Sequence, residues 1–178
     1  MNDAAVMVHT GWVPGLLGEL VRWHGRYYVG ALGWPPVFER IVAREAAEFA
    51  AVPDDEALIW SAWRDGHFLG CLALDSREAA TKGARLRFFI ASDDARGHGV
   101  GTRLMRLALA AADARGDARV WLTTVRGLAA AAHLYSKFGF VLADEHDDDS
   151  WGASMREQRF VRERHAGSSA AVTASTTP

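Results

Sequence analysis

The sequence predicts an α/β domain in which two helices lead and strands and helices then alternate around a mixed sheet. Two observations carry that expectation: helical periodicity fills the first fifty or so residues, and two strand-like runs then flank an Asp65-Gly66 pair. The second half supports them by alternating strand-like with helix-like segments. With 178 residues, 49% of them apolar and 24% charged, the chain supports one hydrophobic core and is too short for two comfortable domains. Residues 1–165 are read as one domain, and 166–178, "AGSSAAVTASTTP", as a disordered tail of small and polar residues without periodicity.

In chain order, "PGLLGELVRWHGRYYVGALGW" places Leu16, Leu20, Trp23 and Tyr27 at helical spacing, and Gly30, Gly33 and Pro35-Pro36 end the helix. "VFERIVAREAAEFAAV" gathers Phe38, Ile41, Val42, Ala46 and Phe49 on one side of a second helix, closed by Pro53. "EALIWSAWRDGHFLGCLALDS" is an antiparallel pair turning at Asp65-Gly66. "ARLRFFIAS" is a third strand. The following helix buries Val100, Leu104, Leu107, Ala108 and Ala111 and stops at Gly116. "ARVWLTTV" reads as a strand, "LAAAAHLYSKF" as a short helix, and "FVLADEH" with "SMREQRFVRER" as a final strand pair, giving helices followed by β-β-β-α-β-α-β-β.

Composition narrows the function. A formal charge of −2 predicts neither nucleic acid nor a membrane as partner, because both usually require a basic face. No apolar stretch has the length of a membrane span and the N-terminus lacks a signal-like pattern, so a cytoplasmic location is expected. The single cysteine, Cys71, sits in the apolar run "HFLGCLAL" and reads as a buried structural thiol. No histidine pairs with another at i, i+4, and the acidic run "EHDDD" lacks metal-loop spacing, so no metal site is expected. That run reads as a solvated loop or as an acidic border to a site for a cationic ligand.

The stretch "ARGHGVGTRLM" puts Gly97, Gly99 and Gly101 at alternate positions where a strand gives way to a helix. Glycines there expose the unpaired N–H groups of a helix start, a natural seat for phosphate, with Arg96 and Arg103 able to add charge-assisted bonds. They also suit a merely tight turn. The spacing fits neither the dinucleotide fingerprint, which needs two residues between its second and third glycines, nor the ATP loop, which needs Gly-Lys-Ser/Thr.

"LRFFIASDDARGHGVGTRLMRLALAAA" resembles the acetyl-CoA-binding motif of the GNAT family of N-acetyltransferases, with Arg96-Gly97-His98-Gly99-Val100-Gly101 as its loop. "HLYSKFGFVLADEH" resembles the same family's later segment, a tyrosine on a short helix followed by Gly-Phe and a strand. The likeness runs from about Glu56 to Arg164 and implies a mixed sheet of about six to seven strands flanked by about four helices. More narrowly, "PGLLGELVRWHGRYYVGALGW", "WLTTVRGLAAAAHLYSKFGF" and "REQRF" look like the acetyltransferase half of bacterial proteins that fuse it to a MarR-type DNA-binding domain. There is no room here for that winged-helix domain, so a stand-alone relative without DNA binding is expected.

The resemblance implies direct acetyl transfer from acetyl-CoA to the amine of a small molecule or amino acid, with a homodimer possible. The N–H groups from Gly97 to Thr102, including those of His98 and Val100, would hold the diphosphate; Phe89, Ile90 and Ala91 would pair with the pantetheine arm and supply an oxyanion donor. Tyr135 would protonate the departing thiolate, its other reading being an aromatic packed with Ala131 and Phe138. "TTVRGL" replaces an asparagine found in many relatives, leaving Thr124 or a backbone group to make that contact. Relatives often carry a glutamate base on the third strand, where this chain has Arg85 and Arg87. His24, beside Tyr27 and Tyr28, is the candidate base, or else a capping or partly buried histidine. Trp34, Trp60, Trp63 and Trp151 are candidate aromatic walls or core. The alternative function is a non-catalytic acyl-CoA sensor or interaction module with this fold.

Overall fold

The chain forms β1 (Met7–Thr10), α1 (Leu16–His24), a π-helical segment (Gly25–Ala31), α2 (Val37–Ala50), β2 (Ala57–Arg64), β3 (His67–Asp75), α3 (Ala79–Lys82), β4 (Ala84–Ala91), a 3-10 turn (Asp93–Ala95), α4 (Val100–Arg115), β5 (Arg119–Val125), α5 (Ala129–Lys137), β6 (Val141–Asp148) and β7 (Met155–Glu163). These assignments come from a computed structural model that describes residues 5–54, 56–152 and 154–164. The expected disordered tail, 166–178, lies outside the described residues. Seven strands make one sheet in the order β1-β2-β3-β4-β5-β7-β6. Only the β4–β5 pair is parallel.

Strand alternation divides the core between the two faces of the sheet. Cys71, Ala73 and Ile90 meet Leu16 and Leu20 of α1 and Phe38, Val42, Ala46 and Phe49 of α2. Leu72, Leu74, Leu86, Val120 and Leu122 meet Val100, Leu104, Met105, Ala108 and Ala112 of α4 on the other face, where Tyr135 of α5 joins them. The β2–β3 hairpin turns at Asp65 (φ 51°) and Gly66 (φ 76°), the paired positive φ angles that an Asp-Gly dipeptide provides.

Four features depart from the sequence reading. β1 is only four residues long and β2 supplies its partner, so no local pattern marks it; α3 is a single short turn. The first helix is not uniformly α: after His24 it widens, and the Leu32 N–H reaches back to the Tyr27 carbonyl at 3.0 Å. The inward stripe runs Leu16, Leu20, His24 and Tyr28 rather than through the expected Trp23 and Tyr27, and Tyr27 is left 38% exposed. At Gly25 the Glu39 carboxylate approaches so closely that a Cβ would collide with it. Finally, β6 runs past the expected "FVLADEH" so that Asp147 and Asp148 are strand as well: Arg156 of β7 pairs with Glu145 (3.0 Å) and Asp147 (3.1 Å) across the β6–β7 ladder.

The sheet opens in its middle. β4 and β5 pair at Ala84↔Val120 and Arg85↔Trp121 and then separate. On its other side, β4 skips register between Ile90, opposite Cys71, and Arg87, opposite Ala73, so Leu72 faces two residues. Phe88 occupies that bulge at φ 53°, a left-handed backbone unusual for an aromatic. The buried Cys71 thiol donates to the Phe88 carbonyl at 3.3 Å. Burial pushes that thiol's pKa well up, so it stays protonated as a donor.

Candidate active site

The splay between β4 and β5 becomes a cavity of about 810 Å³, open mouth included. Leu86, Phe88 and Phe89 form one wall, Leu122, Thr123, Thr124 and Val125 the other, and Met105 of α4 and Tyr135 of α5 close one side. His24, Tyr28, Trp34, Phe38 and Trp151 come in from the α1/α2 side. Two of the four candidate tryptophans, Trp34 and Trp151, are therefore walls, whereas Trp60 lies in the α4-side core and Trp63 packs on the α1/α2-side core.

Tyr135 combines both of its sequence readings. Its ring is 5% exposed and sits 5.5 Å from Phe160, 6.2 Å from Phe140 and 6.3 Å from Phe89, while the residue lines the cavity. Burial drives the phenol's pKa far up, Tyr28 adds to that, and a hydrogen bond with the Thr124 side chain opposes it. The phenol therefore stays protonated at any physiological pH. Thr124 contacts the tyrosine at the place where relatives often carry asparagine.

His24 is 7% exposed, and its Nδ1–H donates to the Leu20 carbonyl at 2.8 Å. A carbonyl only accepts, so the proton of the neutral ring is on Nδ1 and Nε2 keeps its lone pair. Burial lowers the pKa from 6.5 to about 4, against the raising effect of the Leu20 bond. Tyr28 stacks beside the imidazole at 6.2 Å, with its own pKa pushed up to about 12, first by burial and then by Tyr27. Phe88 meets the imidazole edge-on at 6.4 Å.

The glycine turn lies at the start of α4. Gly97 (φ 77°) and Gly99 (φ 66°) are left-handed with open space where a Cβ would stand. Gly101 differs: a Cβ there would stand 3.3 Å from the Phe89 ring and 3.4 Å from Leu134. No backbone carbonyl among the described residues accepts from the N–H groups of Gly97, Gly99, Val100, Gly101 or Thr102, whereas His98 N–H donates to Ala95 at 3.2 Å. Arg96 is exposed and pairs with Asp93 at 2.9 Å; Arg103 donates to the Val6 carbonyl at 2.9 Å. The His98 ring accepts from Arg64 at 3.0 Å, and Val100 is buried in the core. Of the proposed pantetheine partners, Phe89 lines the cavity, Ile90 is 7% exposed opposite Cys71, and Ala91 is exposed opposite Gly70.

Several cavity residues were not singled out from the sequence as site groups: Glu45 of α2, Tyr28, Thr123 and Glu157 of β7. The available signal was the "ARLRFFI" strand, since two arginines alternating in a central strand need acids brought from elsewhere. Arg87, its side chain 11% exposed, pairs with Glu45 at 2.7 Å and Asp75 at 3.2 Å. Among the described residues no group of three or more His, Cys, Asp or Glu side chains could hold a metal ion, and no helix is long and apolar enough to cross a membrane.

The fold recurs in solved structures. An acyl-CoA N-acyltransferase from Pseudomonas aeruginosa superposes with a TM-score of 0.65 at 24% identity, over 89% of this chain and 99% of that one. An acetyltransferase of the GNAT family from Staphylococcus aureus Mu50 gives 0.71 at 13%, over 89% and 99%. The ribosomal-protein-S18-alanine N-acetyltransferase from Escherichia coli gives 0.66 at 16%, over 89% and 94%. The model of the acetyltransferase (GNAT) family matches residues 18–140, a span that takes in His24, the splayed strands, the glycine turn and Tyr135; this chain belongs to that family.

Proposed function

We propose that the protein transfers an acetyl group from acetyl-CoA directly to the primary amine of a small molecule. The observation that carries this reading is the splay of β4 from β5. It frees one edge of β4 and opens a cavity that Tyr135 lines together with Tyr28, Trp34, Phe38 and Trp151, while the unpaired N–H groups of the glycine turn start α4, whose Gly101 lies against Phe89 of the cavity wall. The residues fit acetyl-CoA: the α4 N–H groups suit a diphosphate, and the unpaired β4 edge suits the amides of an extended arm. Acetyl-CoA supplies the activated acyl thioester. An N–H of the Phe89–Ala91 segment polarises the thioester carbonyl, a contribution of ~3 kcal/mol for a donor of this type. Tyr135 donates its proton to the departing sulfur; the burial that raises its pKa also disfavours a free thiolate beside it, so the transfer is not penalised by the phenol alone.

His24 Nε2 accepts the proton that the attacking amine must lose, directly or through water. A base with a pKa of about 4 is weak but is unprotonated throughout the physiological range. Glu45 and Glu157 line the same cavity and favour a cationic ligand there. The narrower kinship with the acetyltransferase half of MarR fusions rests on the quoted N-terminal and Tyr135 segments and belongs to this same reading.

The test is thiol release by purified protein given acetyl-CoA and a mixed amine panel. Turnover is expected, and Tyr135→Phe is expected to lower kcat ten-fold or more without changing acetyl-CoA affinity. Tight binding with no turnover across the panel would instead establish the sensor reading, which the lack of a β4 carboxylate favours.

A further inference from the structure

Arg85 stands apart from the other charges of the cavity. It lines the cavity on the strand that carries the Phe88 bulge, yet among the described residues no carboxylate lies within ion-pair distance of it. Its neighbour Arg87 is neutralised twice, by Glu45 and Asp75. Arg85 instead lies over the Trp121 ring at 4.9 Å and donates to Thr123 Oγ1 at a long 3.4 Å, while its Nε is buried without a partner. Burial, and then Arg87, lower its pKa. A guanidinium remains charged regardless. The site thus holds a partly desolvated planar cation whose donors are under-used, a costly arrangement unless a ligand completes it.

Elsewhere the cavity's walls are apolar and aromatic, with Trp34, Phe38, Phe88 and Trp151 among them. We propose that Arg85 seats a carboxylate on the acceptor, so that the acceptor is an amino acid: a primary amine that also carries a carboxylate and has an apolar body. The inference rests on the acetyl-transfer reading above. A planar fork of N–H donors matches a carboxylate in two parallel bonds, which a point cation does not, and the Trp121 ring lies 4.9 Å from the guanidinium carbon. Glu157, a cavity acid with no arginine partner among the described residues, complements the ammonium end of such a zwitterion.

The experiment uses the full chain with acetyl-CoA and matched acceptors that differ only in the carboxylate: L-phenylalanine against 2-phenylethylamine, L-leucine against 3-methylbutylamine, and 6-aminohexanoate against pentylamine. The quantity read is the kcat/KM ratio within each pair, for wild type and for Arg85→Gln. Because the two amines of a pair differ in basicity equally for both enzymes, the change in ratio isolates the side chain. For at least one pair the variant is expected to lose about 10- to 100-fold of the carboxylate preference, mainly in KM. Arg85→Lys is expected to recover only part, since a point charge replaces a fork.

Equal use of both members of every pair by wild type, or equal losses on both members in a folded Arg85→Gln, would overturn the proposal. Were Arg85→Gln not to fold, the wild-type ratios and Arg85→Lys would decide it. If no amine were acetylated, the transfer reading would fall, and thermal unfolding in the presence of CoA would decide the seat by itself. Stabilisation by the amino acids but not by the plain amines supports the seat, and no difference between them refutes it.

Discussion

The buried imidazole of His24 makes a prediction about stability that does not depend on the reaction. Its pKa lies near 6.5 in the unfolded chain and about 4 in the folded one. Between those values the unfolded state holds a proton that the folded state does not, so stability rises with pH across the window. The contribution is complete above about pH 6.5, is lost as pH falls toward 4, and amounts to about 3 kcal/mol in all, of which about 2 kcal/mol is gone by pH 5. Urea unfolding at pH 7.5 and pH 5 on wild type and His24→Gln measures it, because the carboxylates titrate alike in both chains. Wild type is expected to lose about 2 kcal/mol more than the variant between the two pH values. The same neutral ring leaves no inflection near pH 6.5 in kcat/KM, so above pH 5 the profile follows deprotonation of the acceptor. Equal losses of stability in the two chains, or a His24 proton resonance titrating near 6.5, would refute the reasoning.

Three further predictions concern the β4 bulge and the glycine turn. At Phe88 the left-handed φ of 53° reverses the usual order of small residues in a strand: Phe88→Gly is expected to be about 1 kcal/mol more stable than Phe88→Ala, read by denaturant midpoint, where ordinary strand geometry gives the opposite sign. Gly99→Glu is expected to abolish acetyl-CoA binding in calorimetry by placing a carboxylate beside the phosphate seat. Gly101→Val is expected to weaken binding without any change of charge, at about 1–3 kcal/mol of stability, because its methyls press on Phe89 and Leu134.

What the sequence made legible follows from how locally each feature is encoded. Asp65-Gly66 announced its hairpin because the turn's φ angles are a property of the dipeptide itself. Four of the five α-helices and six of the strands followed from sequence pattern, α3 being the exception. β1 did not, since four residues gain their strand character only from pairing with β2. The end of β6 was missed for a related reason: Asp147 and Asp148 alone read as charged loop, and their pairing with Arg156 and Met155 of β7 makes them strand. The π-helical widening after His24 and the close approach of Glu39 to Gly25 have no local sequence pattern, and Tyr28 rather than the expected Tyr27 faces the cavity.

The site divides in the same way. Its proposed cofactor end rests on two short local segments, the glycine turn and the Tyr135 helix, each of which spacing could find. Its proposed acceptor end is drawn from α1, α2, β4, β5 and β7, and no window of sequence contains it. Arg85 and Arg87 look equivalent in "ARLRFFI"; only the placement of Glu45 and Asp75 makes one a closed ion pair and the other an open seat. The alternate glycines show the reverse error, three residues that look equivalent and are not. Gly97 and Gly99 answer to backbone conformation and Gly101 to the approach of Phe89, a wall of the cavity. The turn that presents N–H groups and the strand that frames the opening are therefore in contact through one missing Cβ, so perturbing the contact should disturb the cofactor end and the cavity wall together.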